Sequence, residues 1–138
     1  MQPTSVFTFA TMKNWIAAAA ISAALAVILG ALGAHSLKSA LPEAQLASFE
    51  TAVRFHIYHS LALLIVAILS KQLDASYRVT LWLFSLGVLL FSGSIYCLAT
   101  IPLHGLESMR LLGPITPIGG LLLIAGWVSL AITTLTKK

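Results

Sequence analysis

The chain has 138 residues, of which 59% are hydrophobic and only 9% charged, where a soluble domain carries roughly a quarter of charged residues; a water-soluble enzyme or binding module is excluded. The net charge of +4 comes from basic residues scattered over loops and ends, and without a nucleic-acid motif it gives no reason to expect RNA or DNA as a partner. The one cysteine, Cys97, offers neither a disulfide framework nor a metal-binding thiol pair.

Apolar segments at about residues 15–35, 50–69, 79–101 and 115–135 are each about long enough, at ~1.5 Å per residue, to cross a hydrocarbon core of ~30 Å. They predict an all-α integral membrane four-helix bundle over residues 13–138. The segment 1–12 is expected to be flexible, and Met12-Lys13 is a second candidate start. Lys13 before an apolar run also resembles a secretory signal, but the run is long for a signal core, so a retained first helix is expected. Lys13, Lys71, Arg78, Lys137 and Lys138 fall on one side of a four-span topology, and Lys38, Arg54 and Arg110 on the other. The positive-inside rule then puts both termini in the cytoplasm.

In the first span Ala18, Ser22, Ala26, Gly30 and Ala34 recur at intervals of four, a pattern of small residues that lets a second helix approach closely. The loop from Lys38 to Ser48 carries Pro42, suited to a helix start, and a short surface helix is expected to run into the second span.

That second span opens on "AVRFHIYHS", Ala52 to Ser60. Counting back from Leu69 puts His59 about 15 Å into the membrane, with Arg54 and His56 in the outer third. Leaving an arginine against lipid costs at least ~2–3 kcal/mol, so these groups should face the bundle, a partner or interfacial water. Glu50, Arg54 and Tyr58 share one helical face, with Glu50 and Arg54 in the favourable order for an ion pair; such a pair serves either to fix the helix's depth or to bind an ion or headgroup. His56 and His59 lie on a different face, and three roles are open to them: hydrogen-bonding anchors between helices, proton carriers in a small transporter, or haem or metal ligands with His35 as a third.

Because the spans alternate in direction, the same half of the bundle receives Gly33 and His35 from the first, Glu50 and Thr51 from the second, Ser92, Ser94 and Tyr96 from the third, and Thr116, Pro117, Gly119 and Gly120 from the fourth. Polar and glycine-rich features of all four spans are thus expected at one depth. Trp15, Trp82 and Trp127 fit interfacial belts. No P-loop, GxGxxG, HExxH, catalytic-triad or paired-carboxylate pattern is present, so neither an enzyme nor a cofactor is expected.

The blocks "GALGAHSLK" (Gly30 to Lys38), "FETAVRFHIYHSLALL" (Phe49 to Leu64), "LFSGSIYCLA" (Leu90 to Ala99) and "GPITPIGGLLLIAGW" (Gly113 to Trp127) resemble the YgdD-like family of small inner-membrane proteins, a domain of unknown function. The resemblance implies four membrane-spanning helices in a bacterial inner (plasma) membrane and transfers no reaction. Its recurring motifs correspond here to Gly33, His35, Thr51, Arg54, His56, His59, Ser92, Gly93, Thr116, Pro117 and Gly119. The function expected first is noncatalytic: a homo-oligomer or an accessory subunit of a membrane complex, with the bilayer as its surroundings. The alternative is a transporter or channel for a small ion or metabolite that uses the polar layer, and more remotely a haem or metal protein built on His56 and His59.

Overall fold

The computed structural model describes residues 9–72 and 77–136. Helix α1 (Phe9–Leu32) continues through a turn of π-helix (Gly33–Leu37), followed by α2 (Glu43–Gln72) and α3 (Arg78–Ala99). A one-turn helix α4 (Ile101–His104) and a 3-10 segment (Glu107–Leu112) lead into α5 (Ile115–Thr136). The four long helices are each long and apolar enough to cross a membrane, and no strand occurs among the described residues.

Several boundaries differ from the sequence expectation. Residues 1–8 of the segment expected to be flexible lie outside the described residues, whereas residues 9–12 already belong to α1. The helix expected in the loop before the second span is the first part of α2, which starts at Glu43 and runs unbroken into that span, because the Pro42 carbonyl accepts the Leu46 amide at 3.0 Å and so opens the first turn. Pro102 and Pro117 fall in the first turns of α4 and α5, where a missing N–H breaks no helical bond. Gly105, at φ 66°, ends α4 in the left-handed conformation that glycine adopts without a steric penalty.

Neighbours in the chain are neighbours in space: α1 packs on α2, α2 on α3, and α3 on α5. One core, with Ala19, Val66, Tyr77, Leu81, Phe84 and Leu123, fills the half of the bundle nearest the chain termini. A smaller one, with Leu37, Leu41, Phe49, Val53 and Ala99, closes the opposite end. Ile21, Val27 and Ile28 of α1 and Leu121, Ile124 and Leu135 of α5 point outward and are largely exposed, an apolar surface that lipid can cover and water cannot.

The small-residue stripe of α1 is only partly buried within one copy. Ala26 is fully buried, Ser22 and Gly30 are half-buried, and Ala18 and Ala34 are exposed. A step of four residues overshoots a full turn by about 40°, so four such steps wind off any straight partner. The buried seam follows Met12, Ala19, Ala26 and Gly33, which recur every seven residues, the period that keeps one face toward a packed neighbour.

The closest helix approach lies elsewhere, between α3 and α5. A Cβ at Gly119 would stand 2.3 Å from the Phe91 backbone nitrogen, and one at Gly126 would stand 2.6 Å from the Phe84 ring. These two glycines, seven apart on α5, together with Gly87 facing Leu123, allow the two helices to meet at a separation that side chains would forbid.

Candidate functional site

The polar residues of the second span are sorted by face. Glu50, Arg54 and Tyr58 point outward, whereas His56 and His59 are buried. The expected Glu50–Arg54 ion pair is not formed: Arg54 Nη2 donates to Thr51 Oγ1 at 2.9 Å, and Thr51 in turn donates to the Ala47 carbonyl. The salt bridge among the described residues is between Glu107 and Arg110 in the exposed connection before α5. On an exposed helix face, an ion pair contributes too little to hold two long side chains in one geometry.

His56 joins three helices. Its Nε2 lies 3.1 Å from Ser22 Oγ on α1 and its Nδ1 lies 3.2 Å from the Tyr96 hydroxyl on α3. Ser22 Oγ is also 2.6 Å from Ser60 Oγ, and Ser60 donates to the His56 carbonyl at 2.8 Å. The directions follow from counting protons. A carbonyl only accepts, so the Ser60 proton is committed to it and Ser22 must donate to Ser60. Ser22 therefore accepts from His56 Nε2–H, and in a neutral imidazole Nδ1 accepts from Tyr96.

His59 is bound differently. Its Nδ1 donates to the Phe55 carbonyl at 2.8 Å and its Nε2 accepts from the Trp127 indole N–H at 3.1 Å. An indole nitrogen only donates, so Nε2 carries no proton and the ring is a neutral Nδ1–H tautomer. Phe55, Phe84 and Trp127 surround it, with ring centroids 5.4–6.0 Å away. Trp127 therefore does not serve as an interfacial belt residue, the role read for it from sequence; it sits mid-helix and ties α5 to α2. Trp15 and Trp82 meet edge to face at 5.2 Å, near the end of the bundle that holds the termini.

The other polar residues also bond across helices. Ser92 donates to the Ala52 carbonyl at 2.9 Å, joining α3 to α2, and Ser94 and Thr116 share a 2.7 Å hydrogen bond between α3 and α5. Among the described residues no buried side-chain nitrogen or oxygen lacks a partner. The residues expected in one layer are thus divided among separate networks. His35 is exposed on the π turn, away from His56 and His59, and Gly33 packs against the Phe49 ring. Pro117 is exposed, and Gly119 serves the helix crossing. Both ring nitrogens of His56 and of His59 are engaged by protein groups, and no group of three metal-ligating side chains assembles among the described residues.

Sequence reasoning missed Ser60, the bonding role of Ser22, the glycine pair Gly87 and Gly126, and the Thr80–Ser129 hydrogen bond of 2.8 Å between α3 and α5. Ser60 stands four residues after His56, a spacing that could have flagged it. Between α1 and α3 a lateral groove of about 630 Å³ remains, with Ser22, His56, Ser92 and Tyr96 along its floor.

A family model described as "Protein of unknown function (DUF423)" matches residues 29–120. The UPF0382 membrane protein SH2409 of Staphylococcus haemolyticus is 42% identical over 123 residues, covering 89% of this chain and 96% of its own. The UPF0382 membrane protein YwdK of Bacillus subtilis is 41% identical over 123 residues, covering 88% and 95%. No solved structure matches the chain. The chain belongs to the DUF423 family, a family of small membrane proteins of unknown function, in keeping with what the four sequence blocks implied.

Proposed function

We propose that this DUF423 protein is a noncatalytic multi-pass protein of the bacterial inner membrane that acts by association, as a homo-oligomer or an accessory subunit of a larger membrane complex. The observation that carries this reading is the closure of its interior: every buried side-chain polar atom among the described residues is satisfied by another protein group. Passage of an ion or metabolite, or ligation of a metal, would require His56 or His59 to leave partners they already hold. What the bundle offers to other molecules is its outer surface, and the lipid-facing sides of α1 and α5 are the least covered. The bias of Lys13 and Arg78 toward the end holding the termini supports a cytoplasmic location for both.

Purification in mild detergent followed by cross-linking tests the proposal. The expected result is a cross-linked homo-oligomer or a reproducible membrane partner at defined stoichiometry. A strict monomer with no copurifying protein overturns it.

A further inference from the structure

The groove between α1 and α3 has a chemical character beyond its shape. It is about 630 Å³, within the ~300–1,000 Å³ range of small-molecule sites. Its walls run from Ala18 to Leu29 on α1 and from Ser85 to Tyr96 on α3, a length of about 16 Å at ~1.5 Å per residue. The Trp15–Trp82 contact lies just beyond one end of it, and no atom lies within 4 Å of where a Cβ on Gly93 would project.

The polar hydrogens along this groove are committed to the protein. Ser85 donates to the Leu81 carbonyl, Ser92 to the Ala52 carbonyl, Ser22 to Ser60, His56 Nε2–H to Ser22, and the Tyr96 hydroxyl to His56 Nδ1. Each hydroxyl oxygen keeps lone-pair capacity, since a hydroxyl accepts twice and donates once. The polar floor is thus built of acceptors without an available donor.

In a bilayer, an apolar body gains little by exchanging lipid tails for apolar side chains. Discrimination between apolar molecules must then come from the hydrogen bond, and an acceptor-only floor selects a donor. We propose that the α1–α3 groove binds a lipid alcohol, an apolar chain bearing one hydroxyl, and that this hydroxyl donates to the Ser22 or the Tyr96 oxygen, both of which are half-buried. The inference is independent of the association reading, because it concerns a site within one copy.

The test uses the full chain in nanodiscs and three photoreactive probes of equal chain length: a primary alcohol, its methyl ether and the corresponding ketone. All three carry an oxygen acceptor, and only the alcohol donates. The alcohol is expected to label α1 and α3 about fivefold more than the ether or ketone, the selectivity of one hydrogen bond worth ~1 kcal/mol. Gly93→Leu, which fills the groove, is expected to abolish that labelling without lowering the thermal unfolding midpoint. Equal labelling by the three probes overturns the proposal, leaving a groove filled by acyl chains alone. Alcohol labelling undiminished in Gly93→Leu overturns it as well, as does cross-linking of two copies through this groove with no alcohol labelling. The three-probe comparison on the unsubstituted chain decides the matter even if Gly93→Leu fails to fold.

Discussion

His56 and His59 stand less than one helical turn apart on α2 and are almost equally buried, at 8% and 5% exposure, yet their surroundings behave differently. His59 is held by a carbonyl that can only accept and an indole that can only donate, so neither bond can be reversed. His56 is held on both sides by hydroxyls, whose directions are set only indirectly, through the relay from Ser22 to Ser60 to the His56 carbonyl. The His59 side is also backed by aromatic rings and by the glycine-built crossing of α3 and α5, whereas the His56 side borders an open groove. Rigidity here follows from the chemical type of the partner and the packing behind it, and burial alone does not distinguish the two.

The largest expected effect comes from the packing behind His59. Gly119→Ala drives a methyl group into the backbone at Phe91 and should lower stability by about 3 kcal/mol, the upper end of ordinary overpacking. Gly93→Ala, on the open side of α3, should cost nothing or add up to ~1 kcal/mol from helix propensity. Reversible unfolding in detergent measures both, and equal losses would erase the contrast between tight and open sides. A smaller effect is expected for Trp127→Phe, which leaves His59 Nε2 without its donor and should cost ~1–2 kcal/mol. In the unsubstituted protein, nitrogen NMR of labelled histidines should show His59 protonated at Nδ1 and neutral His56 at Nε2; a shared tautomer would contradict the hydrogen-bond directions. Among the lost hydrogen bonds the smallest effect is that of Ser22→Ala, expected to cost about 0.6 kcal/mol, the average for hydrogen bonds between membrane helices, because the remaining hydroxyls can re-pair. A cost matching that of Trp127→Phe would mean that the two sides are equally rigid.

The four membrane-length helices were legible in the apolar runs, because length and hydropathy are local properties of the chain. That Glu50, Arg54 and Tyr58 lie on a different face of α2 from His56 and His59 was legible from helical angle, whereas which of the two faces is buried was not. What failed depended on partners. A Glu50–Arg54 spacing permits an ion pair but does not require one, and Arg54 found Thr51 instead. The small residues of α1 suggested a close crossing, but small side chains permit close approach only where another helix arrives. The closest approach came at Gly119 and Gly126, which face Phe91 and Phe84. Trp127, somewhat deeper than Trp15 and Trp82, still fits a membrane interface until His59 is found beside it. Depth brought the polar residues to one region, but it could not tell one shared layer from several two- and three-helix networks.

The succession α1 on α2, α2 on α3 and α3 on α5 bears on how the protein is made. Each helix emerging from the ribosome finds its main docking surface already in the membrane, so assembly can keep pace with synthesis and needs few contacts between distant parts of the chain. The Trp127–His59 bond bridges a separation of 68 residues, and it cannot close until the last helix has entered. It is the latch that marks a finished bundle, and a chain stalled before α5 would leave His59 Nε2 without its donor.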